Sequence, residues 1–344
     1  MPSWPLLGRI PIMASRRGQL PGPAKVMEHA VVTGDFGGAL EQFHRALDPA
    51  MRELPQVELL AATAAVRLGD WQQATSLGLS VLEHSRRNDD PDGRMRALNL
   101  LGGLAFERGV LDDAEAQLLE ALTLARQLED RDVGPRILNN LGSLAHVQGR
   151  ISEALERYHE AITVYQGDGN DRGLAETYHN IGLVQRQERA WSEARVALRH
   201  AIRHALVVAE ASLLALVHMG SAELYLEVEN LQQAQAEIDV ADRLLAGVQD
   251  KLGEAELERV HALLKLEQGN PESAHRHALA GEAVAAAGGN PLLESECAAV
   301  GATALQGLGA DEAQTKHDRV VETMKALGAS QPLKRFERQW AGVG

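Results

Sequence analysis

Alanine returns every 40 residues along this chain, at Ala74, Ala114, Ala154, Ala194, Ala234 and Ala274. A step held five times in succession sets the length of the unit being built, and self-similarity at such a period specifies stacked supersecondary units rather than one closed core. The surrounding sequence keeps the register without a gap. LNLLGGLAFERGVLDDAEAQLLEALTLA from Leu98 aligns with LNNLGSLAHVQGRISEALERYHEAITVY from Leu138 and YHNIGLVQRQERAWSEARVALRHAIRHA from Tyr178, and the pattern runs on from His218 and Glu258. Ala39 and Ala313 extend it at steps of 35 and 39, which gives about eight units.

Each unit reads as two helical patterns broken by a short polar turn, as at Gly109, Gly149 and Gly269. An aromatic or aliphatic residue follows two places on, as Trp71, Leu111, Ile151, Trp191 and Leu231 do. Asp112, Ser152 and Ser192 come next, where a polar side chain is expected to stabilise the exposed amides of the second helix. Gly102, Gly142 and Gly182 share one position of the first helix with Ala222 and Ala262, and Ala121, Ala161, Ala201 and Ala241 share one in the second. A glycine inside a helix costs about 0.5–1 kcal/mol relative to alanine, so its recurrence marks a seam where helices approach too closely for a side chain. Aromatic residues make up only 3% of the chain against 45% hydrophobic, and this Ala- and Leu-rich content suits helix packing. The expected fold class is all-α. Roughly eight buried side chains per unit, at about 1.5–3 kcal/mol each, fall short of the entropy of ordering some 40 residues at about 1–2 kcal/mol each, so the units must stack to be stable.

Five of the twelve prolines lie in the first 23 residues, and residues 1–22 are therefore expected to be a flexible Pro/Gly-rich tail. Residues 23–328 form the array. Residues 329–344 carry a capping helix and tail, in which Leu333, Phe336 and Trp340 recur at helical spacing to cover the last hairpin.

The formal net charge is −14, and residues 26–344 alone carry −18. A body so acidic repels phosphate backbones and anionic bilayers and favours neutral or basic partners. Nucleic acid and membrane are excluded as expected partners. The single cysteine, Cys297, allows no internal disulfide, and no apolar run has the length of a membrane span. A cytoplasmic location is the expectation, and 28 arginines against six lysines point to a GC-rich bacterial source.

No chemistry-bearing motif rises above this pattern. His200 and His204 stand four apart on one helix, but no further ligand accompanies them, and His204 takes the register of Leu124 and Val164, which reads as packing. No dinucleotide fingerprint, phosphate loop or nucleophile elbow occurs. No carboxylate pair stands out as a general acid and base. The expectation is a non-enzyme with no catalytic residues, no metal and no cofactor.

The small and large residues Gly142, Ala154 and Ala161 with Leu138, Leu141 and Tyr158 resemble the tetratricopeptide repeat. The 40-residue unit and the Asn140-Leu141-Gly142 and Asn180-Ile181-Gly182 triplets are similar to its long-repeat branch, seen in Leu-Gly-Asn repeat proteins, kinesin light chains and bacterial peptide-sensing regulators. The resemblance implies a right-handed superhelix whose first-helix asparagines face a concave groove and bind a ligand's backbone amides. Carried over by register, the groove residues are Asn99, Asn139, Asn140 and Asn180, joined by Ser143 and His179, with Arg96 and Arg136 one turn earlier on the same face. An amide side chain offers both donor and acceptor and so satisfies an extended peptide in either direction. The implied function is a protein- or peptide-binding scaffold or adaptor. Alternatives are a peptide-responsive sensor acting on a separate effector chain, and a self-associating structural array.

Overall fold

The structure, a computed structural model, describes residues 20–342, apart from the side chains of Val32 and Thr33. The expected tail therefore lies outside the described residues up to residue 19. Leu20 is already buried, and α1 (Gly22–Thr33) opens two residues later. It pairs with α2 (Phe36–Glu41), which runs on as a π-helical turn over Gln42–Ala46, and the short α3 (Pro49–Arg52) follows.

Regular hairpins fill the rest of the array. They are α4 (Pro55–Arg67) with α5 (Trp71–Arg87), α6 (Pro91–Glu107) with α7 (Leu111–Gln127), and α8 (Gly134–Val147) with α9 (Ile151–Asp168). Next come α10 (Asp171–Gln187) with α11 (Trp191–Val208), and α12 (Ala211–Glu227) with α13 (Leu231–Leu245). The last are α14 (Lys251–Glu267) with α15 (Pro271–Ala287), and α16 (Pro291–Gly307) with α17 (Ala313–Ala326), before a final helix α18 (Ser330–Gly342). The fold is an all-α, right-handed tetratricopeptide-like superhelix of about eight hairpins.

First helices start where an Asp or Asn caps them at the same 40-residue step. The side chains of Asp90, Asn170, Asp250 and Asn290 each accept a hydrogen bond from the amide three residues on, satisfying a donor that the helix itself leaves open. The second helices differ from expectation. Asp112, Ser152 and Ser192 lie one residue inside α7, α9 and α11, and no side chain caps those helices.

The seam is as tight as the glycines imply. The six periodic alanines are wholly buried. A Cβ on Gly102, Gly142 or Gly182 would stand 2.8 Å from Leu118, 2.5 Å from the Tyr158 ring or 2.8 Å from Leu198, closer than non-bonded carbons approach. Successive first helices pack directly on one another, as α10 on α12, α12 on α14 and α14 on α16 do, with no comparable contact between successive second helices among the described residues. The first helices therefore form the inner layer of the curve.

Five units later the curve meets itself. The guanidinium at the end of α4, Arg67, lies 3.3 Å from the cap of α14, Asp250. Glu107, ending α6, accepts 2.7 Å from Asn290, the cap of α16. Ser330, opening α18, donates 3.3 Å to the Val147 carbonyl that ends α8. All three pairs are 183 residues apart, so one repeated contact fixes the pitch of the superhelix.

Candidate functional site

The 40-residue step brings the residues singled out in the sequence onto successive first helices. Asn99 on α6, Asn139 on α8 and His179 on α10 form one column, and Arg96 and Arg136 another. Neighbouring columns join diagonally. Asn140 Nδ2 donates 2.9 Å to Asn99 Oδ1, and Asn180 Nδ2 donates 3.2 Å to Asn139 Oδ1, so two amide pairs bridge three units. All four asparagines are buried, at 7–9% exposure. One end of each amide is thereby engaged. The opposite ends, Asn99 Nδ2, Asn140 Oδ1, Asn139 Nδ2 and Asn180 Oδ1, make no hydrogen bond among the described residues and are not sealed off.

The other expected residues are placed less openly. Ser143 is wholly buried, donates to the Asn139 carbonyl at 3.1 Å and lies 3.2 Å from the Tyr158 hydroxyl of α9, so it faces the space between helices. His179 is buried against Gly220 of the next unit, whose Cβ, if present, would stand 2.6 Å from the ring. Arg96 and Arg136 meet acids of this chain itself. Arg96 donates to Asp92 at 2.9 Å, and Asp132 lies 3.8 Å from Arg96 and 2.9 Å from Arg136.

Further along, the same columns turn ionic. Arg259 stands where Asn99, Asn139 and His179 do, and its guanidinium donates to Glu223 at 2.5 Å and to Glu256 at 2.7 Å. Arg186 donates to the other oxygen of Glu223 at 2.6 Å, and Arg335 of α18 reaches Glu223 at 3.5 Å and Glu227 at 3.0 Å. Arg186, Glu223 and Arg259 are taken out of water, which is tolerable only because opposite charges converge on them. Burial pushes the nearby Glu296 carboxyl well above the usual carboxylate range. Sequence reasoning passed over Arg186, Glu223, Arg259 and Glu296, although extending the column of Asn99, Asn139 and His179 by two more 40-residue steps would have found Arg259.

Between the two regions, His146 Nε2 donates 2.5 Å to Gln187 Oε1, and the Gln187 amide in turn donates to Gln331 of α18. Burial holds the imidazole neutral, with its pKa pushed down to about 3. The helix α18 thus touches the inner layer directly. Among the described residues no group of three or more His, Cys, Asp or Glu is placed to hold a metal ion. His200 and His204 instead stack on Tyr178, at centroid distances of 4.9 and 5.9 Å, and His204 bonds Asp171 at 2.7 Å. No helix among the described residues is long and apolar enough to cross a membrane.

A neutral amide ladder thus lies on the inner layer of a curved stack of helical hairpins. Comparison with known proteins agrees on the class. The sequence profile of the tetratricopeptide repeat matches residues 135–206, which cover α8 to α11, and these residues are tetratricopeptide repeats within a superhelix of the same kind throughout. No curated protein matches the sequence. Among solved structures, that of a Rap protein complexed with competence and sporulation factor has a TM-score of 0.64 at 12% identity, covering 93% of this chain and 96% of that one. NprR in complex with its cognate peptide NprX gives 0.59 at 13% identity, covering 95% and 98%. The apo form of RapI gives 0.59 at 11% identity, covering 77% and 97%. At such identities the likeness is one of fold.

Proposed function

We propose that this protein is a non-catalytic adaptor that holds an extended segment of a partner protein against the inner face of its superhelix, centred on α6, α8 and α10. The observation that carries the reading is the pair of cross-unit amide bridges. Asn99–Asn140 and Asn139–Asn180 lock four side chains in place and leave two donors and two acceptors without partners on first helices. Groups held in position before binding lose little conformational freedom when a ligand arrives, and a peptide backbone supplies the complementary donors and acceptors. The fold is also one in which NprR holds its cognate peptide. The arginines Arg96 and Arg136 flank the ladder already neutralised by Asp92 and Asp132, which fits a ligand recognised by its backbone more than by its charge.

Each amide bond nets about 0.5–1.5 kcal/mol, so the ladder contributes about 2–6 kcal/mol of a peptide's binding energy. Peptides selected from a random displayed library on the wild-type chain are expected to bind an Asn140→Ala/Asn180→Ala variant at least about ten-fold more weakly, with unchanged helicity by circular dichroism. Equal affinity in the two proteins would count against the inner face.

A further inference from the structure

Helix α11 turns arginine and bare aliphatic side chains outward together. At about 100° per residue, Arg195, Val196, Arg199, Arg203, Leu206 and Val207 fall within about 120° of arc on its solvent side, and all six are exposed. They run about 18 Å along the helix. The opposite side, with Ala194, Leu198, Ala201 and Ala205, is buried in the seam. Ser192 shares the exposed face, and Glu193 lies at its margin. The repeat itself does not ask for these residues. In the units on either side, His159 and Asp239 stand in the place of Arg199, Gln166 and Ala246 in that of Leu206, and Gly167 and Gly247 in that of Val207.

Neither the charge nor the apolar surface of this face is answered within the chain. Arg195, Arg199 and Arg203 make no side-chain hydrogen bond or ion pair among the described residues, whereas Arg87 on α5 and Arg126 on α7 meet Glu83 and Glu160. Burial first, and then the positive charge of Arg203, His204 and Arg199, holds the neighbouring His200 imidazole below its usual range. Leu206 and Val207, at 61% and 67% exposure, are the most exposed large apolar side chains among the described residues. Contiguous apolar surface of this kind marks an interaction site, and arginine interleaved with it suits carboxylates, which a guanidinium meets through two parallel hydrogen bonds. The second helices on either side carry exposed acids, Glu156 and Glu160 on α9 and Asp239 on α13, beside Arg243 in the register of Arg203. A flat anionic bilayer would press on those acids as well, whereas one narrow segment lies along α11 alone. With a screening length of about 8 Å at physiological ionic strength, most of the chain's net charge of −14 is screened from a segment seated there.

We infer that the outer face of α11 is a docking surface for an acidic amphipathic segment of a partner protein, whose carboxylates meet Arg195, Arg199 and Arg203 while its apolar side chains cover Val196, Leu206 and Val207. The surface lies on the convex side and stands or falls independently of the function proposed for the inner face. The test is a fluorescence-anisotropy titration of the full-length protein into a labelled peptide with one glutamate face and one leucine face, with the peptide carrying glutamine for glutamate as control. Saturable binding of the acidic peptide is expected, weakening as salt is raised, with NMR shifts at the Val196, Leu206 and Val207 methyls. Arg195→Glu/Arg199→Glu/Arg203→Glu, an exposed change that leaves helicity by circular dichroism intact, is expected to bind at least about ten-fold more weakly, and Val207→Ser about three-fold. No saturable binding, equal affinity for the two peptides, or full affinity in the charge-reversed variant overturns the assignment. Binding to phosphatidylserine vesicles as tight as to the peptide, or a concentration-dependent dimer that the charge reversal abolishes, overturns it in favour of a membrane or a second copy of this chain.

Discussion

Gly142 shows how one residue sets the spacing of two helices. Its missing Cβ would stand 2.5 Å from the Tyr158 ring, and that ring is wholly buried and bonded through its hydroxyl to Ser143, so it has nowhere to retreat. Alanine normally gains about 0.5–1 kcal/mol over glycine in a helix, but forcing a methyl group into a packed seam costs about 1–3 kcal/mol. Gly142→Ala is therefore expected to lower stability by about 1–2 kcal/mol, seen as a lower urea midpoint at unchanged helix content, although propensity alone predicts the opposite sign. At this scale the sequence was informative about columns and silent about pairings. The period placed Asn99, Asn139, Asn140 and Asn180 on one face, but the bridges that join them run 41 residues apart, one residue off the repeat. That offset depends on how far each first helix is rotated against the next, which no single unit encodes. The same rotation turns Ser143 toward Tyr158, where its hydroxyl also accepts from Asn180 of the ladder at 3.4 Å.

Helix boundaries were legible because their causes are local: prolines at first-turn positions, glycines at the turns, and apolar residues at helical spacing. The caps were less so. Asp90, Asn170, Asp250 and Asn290 lie at one 40-residue register before the first helices, a signal present in the sequence but overshadowed by the polar residues inside the second helices. The terminal helix α18 does two things at once. Phe336 is wholly buried and packs with His317 and Trp340, at centroid distances of 5.1 and 6.1 Å, against the last hairpin. Its polar side meanwhile reaches Glu223, Glu227 and Gln187 on the inner layer. The first role follows from helical spacing of apolar residues, whereas the second joins residues over a hundred positions apart and has no local signature. Truncating Phe336 to alanine is expected to cost about 3–5 kcal/mol, concentrated at this end of the array because repeat units unfold semi-independently. Hydrogen exchange should accelerate in α16–α18 and at the end of α8 that Ser330 bonds, and stay unchanged in α1–α3. Uniform acceleration along the chain would mean that α18 is part of one cooperative core.

At the scale of the molecule, the stacking of hairpins was predictable and the tightness of the winding was not. Contacts between Arg67 and Asp250, Glu107 and Asn290, and Ser330 and Val147 recur at one offset and hold turn upon turn. The proposed function requires the partner segment to lie on the polar inner face that carries the two amide bridges. Side-chain amide resonances of Asn99, Asn139, Asn140 and Asn180 report on it directly. On titrating a selected peptide into the labelled full-length protein, these signals are expected to shift together, saturably, and with the same dissociation constant as the peptide's own backbone amides. A peptide that binds tightly while all four amide signals stay unmoved contradicts the account.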